Sequence, residues 1–124
     1  WNMKTVLLSA ASFLLFSTAV YVSMEEPAPE ISDSGICVVE FNASFNAGNS
    51  VPWVENISDC KNYRIDIVEQ PDLQKEHKIV VVPTIVVFND GEEEARFQAN
   101  IMMQLEATEE DVQEAVDDII MNSF

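Results

Sequence analysis

Two cysteines, Cys37 and Cys60, are the side chains of this sequence that could support thiol chemistry. They are too few and too far apart for a zinc site or a disulfide-rich scaffold. Two interpretations remain open: lone buried thiols, or one structural disulfide between neighbouring strands, which would suit an exported protein. A redox role for the pair would need accessible thiols, whereas both positions are predicted to be buried.

The other titratable residues do not form a ligand set. His77 is the single histidine and has no second His or Cys at ligand spacing. The acidic runs at 92–94 and 109–111 lack the spacing of a calcium loop and are expected to be solvated. The sequence therefore predicts no metal and no cofactor.

The charge of the chain is strongly acidic. Its 124 residues include 22 acidic and six basic ones, giving a net charge of −16 at pH 7. Such a charge repels phosphate backbones and disfavours nucleic-acid binding, while it favours solubility and either basic partners or a salt-rich setting. The length fits a single domain.

The N-terminal part has the pattern of an export segment. Residues 6–22 carry no charge, Lys4 precedes them, and Glu25 and Glu26 follow. This bias predicts that the following domain lies on the extracytoplasmic side, in a periplasm, a lumen or the cell exterior. The segment is either a signal peptide cleaved near Ala19, which would make the protein secreted, or a retained hydrophobic helix that anchors it in a membrane. We adopt the anchored form as the expectation.

These features divide the chain into an N-terminal signal-anchor or signal peptide (1–23), a proline-containing linker (24–34) and a folded domain (35–124). Thr108 and Asp111 are placed as a capping box for a final helix with an apolar stripe. The predicted order is βαβαββα, an α/β mixed sheet with helices on both faces. The predicted strands are 36–41, 63–68, 79–88 and 95–101, and the earlier helices are 51–57 and 70–77.

Three stretches resemble the thioredoxin family in order and approximate spacing. Residues 38–45 (VVEFNASF) resemble its central strand, 82–84 (VPT) its Ile-Pro-Thr, and 86–91 (VVFNDG) its next strand and turn. The resemblance runs from about Ile36 to the C-terminus and implies a thioredoxin-like fold in which Pro83 is cis. The family's opening strand and helix have no counterpart in the sequence.

The resemblance fails at the reactive loop. Where the family has Cys-Gly-Pro-Cys, this chain has Asn46-Ala47-Gly48-Asn49, preceded by Phe45. The family's reaction needs a thiolate and a resolving thiol, and an Asn amide can neither attack a disulfide nor leave from one. The resemblance therefore implies a redox-inactive member and no enzyme. Glu40 matches the family's buried acid, which would be left with no cysteine to serve.

The surface around that loop is the candidate binding site. By resemblance, Val82, Pro83 and Thr84 border a groove that holds extended peptides by backbone hydrogen bonds. Phe45, Ala47 and Trp53 could line an apolar patch there. The two loop asparagines could instead be helix caps and turn formers only.

The expected function is that of a non-catalytic protein-binding or structural module, anchored to a membrane as an accessory subunit of a larger assembly. Two alternatives remain: a thiol-disulfide oxidoreductase or redox sensor using Cys37 and Cys60, and a holdase-like peptide-binding chaperone. Asn42 and Asn56 lie in glycosylation triplets that matter only in a eukaryotic secretory protein.

Overall fold

A computed structural model describes residues 30–124. Within this range, no helix is long and apolar enough to cross a membrane. The apolar segment 6–22 and most of the linker lie outside the described residues. The described elements are strands β1 (Ile36–Asn42), β2 (Lys61–Asp66), β3 (Thr84–Asn89) and β4 (Glu92–Gln98), helices α1 (Pro71–Glu76) and α2 (Glu109–Asn122), and 3-10 segments Ser44–Asn49 and Val54–Asn56.

The four strands form one mixed sheet in the order β2-β1-β3-β4. β1 pairs in parallel with β2 and antiparallel with β3, and β4 continues antiparallel to β3. The predicted mixed sheet with flanking helices is confirmed. β2 and β4 are the two edges of the sheet.

Both faces of β1 are covered, which explains why its run is almost wholly apolar. Cys37, Val39 and Phe41 pack into one cluster, on the face where Leu73 of α1 lies. Val38 packs into the other, with residues of α2. Successive side chains point to opposite faces of a strand, so a single short strand supports both halves of the core.

The predicted capping box of α2 is present. The Asp111 N–H donates to Thr108 Oγ1 at 3.2 Å, and the Thr108 N–H donates to Asp111 Oδ2 at 2.9 Å. Val112 and Val116 are fully buried on the apolar stripe of this helix. α2 therefore covers the sheet as the sequence predicts.

Several predicted boundaries are wrong. The run 79–88 is a strand only from Thr84, because Pro83 has no N–H to donate to a strand ladder. The peptide bond between Val82 and Pro83 is cis. The predicted helix 51–57 is only a 3-10 turn at Val54–Asn56, and the predicted strand 63–68 begins at Lys61 and ends at Asp66.

The last strand is also displaced, from the predicted 95–101 to Glu92–Gln98. Asp90 and Gly91 both have positive φ, 51° and 84°. This is the conformation of a two-residue hairpin turn, so the return strand begins immediately after Gly91. The chain consequently leaves the sheet three residues earlier than the sequence pattern indicates.

Candidate functional site

The loop after β1 contains no α-helix. Ser44–Asn49 is a 3-10 segment kinked at Asn46, whose φ and ψ are −113° and 23°. A second 3-10 turn follows at Val54–Asn56. A 3-10 segment of this length aligns few peptide dipoles, so the loop offers little of the stabilisation that an α-helix N-terminus gives to an anion.

Asn46 is the centre of a group of amides that we call the amide cluster (Asn42, Asn46 and Asn49). Asn46 is only 6% exposed. Its Nδ2 lies 3.2 Å from Asn42 Oδ1, 3.4 Å from the Val82 C=O and 3.2 Å from the Met103 C=O. Its Oδ1 accepts from Asn49 Nδ2 at 2.9 Å. The side chain therefore ties the loop to two distant segments.

Glu40 is the centre of a second group, the ion-pair cluster (Glu40, Arg64 and Glu55). Glu40 is 2% exposed and accepts from the Val51 N–H at 2.6 Å and from Nη1 of Arg64. The Arg64 guanidinium also donates to Glu55 at 2.8 Å and to the Val51 C=O at 2.8 Å. Burial lowers the pKa of Arg64, but the hydrogen bonds and charges of Glu55 and Glu40 outweigh it, so the pKa is raised overall. A buried carboxylate is thus fully paired.

An apolar groove of about 340 Å³ lies beside the cis-proline. Phe45, Val80 and Ile101 on this groove are 70%, 77% and 98% exposed. Val82 lines the groove, whereas Pro83 and Thr84 are buried. None of the lining residues carries a charge; they are Phe45, Ile67, Gln74, Val80, Val81, Val82, Asn100, Ile101 and Met103.

The apolar patch expected from Phe45, Ala47 and Trp53 is divided. Trp53 lines a separate depression with Asn49 and Leu105, and Ala47 lines a third one beside Arg64. In a 3-10 segment of three residues per turn, positions 45 and 47 point in different directions, so they cannot share one surface. The sequence places Ile101 at the end of the predicted strand 95–101 and gives no signal for Met103, so neither residue was expected on this groove.

A larger cavity of about 490 Å³ lies elsewhere. It is bordered by α1 on one side and by the segment before β1 on the other. None of the groove residues lines it. His77 borders this cavity and packs against Phe41 and Phe88, with ring centroids 5.5 Å and 5.1 Å away. In residues 30–124 no three His, Cys, Asp or Glu side chains are grouped so that they could hold a metal ion.

Both thiols are free. Cys37 is fully buried on one face of the sheet, whereas Cys60 packs against the cluster on the other face. The disulfide considered from the sequence is therefore not formed in this structure. Burial raises the pKa of Cys37 and raises that of Cys60 to about 11, so both thiols are protonated at neutral pH and are poor nucleophiles.

Comparison with known proteins supports the fold. No protein-family profile matches the sequence, and no curated protein matches it significantly. A thioredoxin variant from Halobacterium salinarum NRC-1 superposes with a TM-score of 0.58 and 24% identity, over 70% of this chain and 76% of that chain. Thioredoxin 1 of Thermosipho africanus TCF52B superposes with a TM-score of 0.58 and 18% identity, over 70% of this chain and 97% of that chain. Fasciola hepatica thioredoxin superposes with a TM-score of 0.51 and 22% identity, over 69% of this chain and 83% of that chain. The described domain has a thioredoxin-like fold.

Proposed function

We propose that this chain is a redox-inactive, thioredoxin-like protein-binding module, held by its N-terminal segment as an accessory subunit of a membrane-associated assembly. One observation carries the proposal. At the position where the resemblance places the first reactive cysteine, the buried Asn46 is bonded to the Val82 and Met103 carbonyls, both on segments that border an exposed apolar groove. An exposed apolar groove beside a position where the reactive group is replaced supports binding without catalysis.

The loss of catalysis follows from the neighbouring groups. An amide has no electron pair suited to attack on sulfur, and the Asn46 side chain is already fully hydrogen-bonded. Glu40, the counterpart of the family's buried acid, is held by Arg64 and the Val51 N–H. Cys37 and Cys60 lie on opposite faces of the sheet with raised pKa values, which disfavours the oxidoreductase and redox-sensor alternatives.

Binding of an extended segment is supported by the main chain. The N–H groups of Val80, Val81 and Val82 donate no hydrogen bond to any group in residues 30–124. A peptide lying along them could accept these bonds and bury its apolar side chains against Phe45 and Ile101. The net charge of −16 favours a partner segment with flanking basic residues. A holdase-like chaperone would use the same groove but would bind unfolded chains without a preferred partner.

The membrane part of the proposal rests on the sequence. Residues 6–22 are uncharged, a basic residue lies before them and acidic residues follow. This pattern supports a signal-anchor with the domain on the extracytoplasmic side. A protein cleaved near Ala19 would instead be a secreted binding module.

The test is site-specific photo-crosslinking of the full chain in its native membrane. A photoreactive phenylalanine analogue replaces Phe45 in one variant and Phe124, another highly exposed phenylalanine, in the matched control. We expect a discrete protein adduct from position 45 and none from position 124. In parallel, Phe45→Ala should weaken recovery of that partner about tenfold or more, because a central aromatic anchor is lost, whereas Phe124→Ala should not.

The same preparation separates the alternatives. Disulfide reductase turnover that persists through purification would contradict the proposal. So would adducts that are equal at the two positions, or binding that Phe45→Ala leaves unchanged. A broad smear of unfolded clients at position 45 would favour the holdase.

A further inference from the structure

A turn at residues 100–104 borders the groove and displays apolar side chains on a fixed backbone. Asn100 closes this turn. Its C=O accepts from the Met103 N–H at 3.0 Å, its N–H donates to the Gln104 C=O at 3.0 Å, and its Oδ1 accepts from the Met102 N–H at 2.9 Å. Ile101, Met102 and Met103 are 98%, 68% and 42% exposed. The turn therefore holds two thioethers at the surface.

Of the three methionines in residues 30–124, Met103 is the one that lies on the groove. It lines the groove together with Phe45, whereas Met102 does not line it. The Met103 C=O accepts from Asn46 Nδ2 at 3.2 Å, so the backbone at this position is tied to the loop after β1. Met121, on α2, is 70% exposed and lies outside the groove. Met102 and Met121 can therefore serve as references for the chemistry of Met103.

The two thiols are poorer targets for oxidation than these thioethers. A thiol reacts with peroxide as its thiolate. Cys37 is fully buried, and burial raises the pKa of both cysteines, that of Cys60 to about 11. A thioether has no proton to lose, so its oxidation at neutral pH depends on access to the sulfur. The exposed methionines are therefore the sulfur groups of residues 30–124 that an oxidant reaches first.

We propose that Met103 is a modification site at which peroxide switches off partner binding in the groove. This inference rests on the proposed function. The sulfur lone pair attacks one oxygen of hydrogen peroxide, so that an S–O bond forms and the O–O bond breaks. The departing hydroxide takes the proton of the transferred oxygen and leaves as water. The sulfur is oxidised to a sulfoxide and the peroxide is reduced. Two thiols of a sulfoxide reductase system reverse the change and yield a disulfide and water.

The sulfoxide alters what the groove can bind. None of the lining residues carries a charge, and Phe45, Val80 and Ile101 offer exposed apolar side chains. A sulfoxide oxygen is a hydrogen-bond acceptor, and an apolar side chain that covers it leaves it without a donor. If the oxygen accepts instead from the free N–H groups at 80–82, it takes bonds proposed for the peptide. Either way, oxidation of Met103 should weaken binding about tenfold.

The experiment follows each methionine and the partner in one preparation. The full chain in its native membrane is treated with hydrogen peroxide for increasing times. Peptide mass spectrometry measures the sulfoxide at each methionine, and recovery of the protein that crosslinks at position 45 is measured alongside. We expect Met102 and Met121, 68% and 70% exposed, to react first and Met103 more slowly. Recovery should fall about tenfold with the time course of Met103, and return when methionine sulfoxide reductases and a dithiol are added.

Three outcomes would overturn the switch and leave the proposed function standing, because the untreated chain still binds its partner. Met103 stays reduced when Met121 is fully oxidised, or recovery follows the oxidation of Met102 or Met121. In the third, the oxidised chain loses its cooperative urea transition, although Met103 belongs to neither core cluster. The sulfoxide would then be a lesion that unfolds the domain. Absence of a partner before peroxide is added would contradict the proposed function, and the switch with it.

Substitutions at two methionines provide a matched comparison. Glutamine replaces the thioether by a polar, uncharged side chain of similar length. Without peroxide, Met103→Gln should weaken recovery of the partner about tenfold, whereas Met121→Gln should leave it unchanged. Met103→Leu removes the sulfur, so its recovery should not change on peroxide treatment, whatever the level before treatment. Met121→Leu should stay as sensitive to peroxide as the unmodified chain. Equal effects of substitution at the two positions would overturn the proposal.

Discussion

The amide cluster lies within the 3-10 segment Ser44–Asn49, and the ion-pair cluster lies where the chain leaves it; each has a buried polar side chain at its centre, Asn46 and Glu40. The amide cluster is neutral and reaches across the fold to the carbonyls of Val82 and Met103. The ion-pair cluster is charged and connects β1 to β2 and to Val51. Among the described residues, no buried side-chain nitrogen or oxygen lacks a partner. The loop that follows β1 is thus held in place by hydrogen bonds of both clusters.

The difference between them lies in what remains when one member is removed. Removal of a neutral amide leaves its carbonyl partners without a donor, and the cost is that of an unmade hydrogen bond. Removal of an arginine leaves a carboxylate in the interior without its counter-charge, which costs considerably more. The intact ion pair need not stabilise the protein more than apolar residues would, because its desolvation offsets its attraction. The two clusters are equally well paired, but substitution in the ion-pair cluster should lower the free energy of unfolding more than substitution in the amide cluster.

The largest effect is expected from Arg64→Met. The substitution leaves Glu40, only 2% exposed, without a cation and removes the donor to the Val51 C=O. Because the Arg64 side chain is itself about one-third exposed, we expect a loss of about 2–4 kcal/mol in the free energy of unfolding, near the low end for a broken buried pair. Urea denaturation of the full chain measures it.

Two variants sharpen this prediction. Arg96→Met leaves Glu93 without its cation, but this carboxylate is 41% exposed, so the loss should be smaller, about 1 kcal/mol. The pKa of Glu93 is lowered by the hydrogen bond from Arg96. Adding Glu40→Met to Arg64→Met should recover part of the loss, because no buried charge then remains. If the double variant were less stable than Arg64→Met, an uncompensated charge would not be the cause.

A smaller effect is expected from Asn46→Ala. The alanine removes the donor to the Val82 and Met103 carbonyls and should lower the free energy of unfolding by about 1–3 kcal/mol. Asn49→Ala, which removes one hydrogen bond at a less buried position, should cost about 1 kcal/mol or less. Equal losses for the two, again from urea denaturation, would show that the contacts to distant carbonyls are not what stabilises the loop.

The two clusters also differ in how far the sequence revealed them. Asn46 and Asn49 stand out because flanking residues resemble a family in which those positions are cysteines. Arg64 gives no such signal: it is a polar residue on an edge strand, and only parallel pairing of β1 with β2 brings it to Glu40. Contacts set by strand register are not encoded in local spacing.

The same reasoning explains which elements were predicted correctly. β1 and α2 have strong local signals, an apolar run and a capping box, and both are confirmed. The ends of β3 and β4 depend on Pro83 and on the two-residue turn at Asp90 and Gly91, and their predicted boundaries were wrong. As a result Ile101, predicted to be part of a strand, lies almost fully exposed on the groove.

Cys60 allows a neutral, half-buried group to be charged without mutation, and the expected loss of stability is the smallest of the three. Its thiol donates to Asn62 Oδ1 at 3.2 Å, and burial raises its pKa from 9.0 to about 11. A folded-state pKa above the unfolded value means that the folded protein holds the proton more tightly. The thiol's contribution to stability is therefore complete below pH 9.0 and is lost as the pH rises towards about 11. Urea denaturation across this range should show stability falling in the unmodified chain and falling less steeply in Cys60→Ala. Equal slopes would mean that the thiol ionises as readily in the folded as in the unfolded chain, which would contradict the prediction.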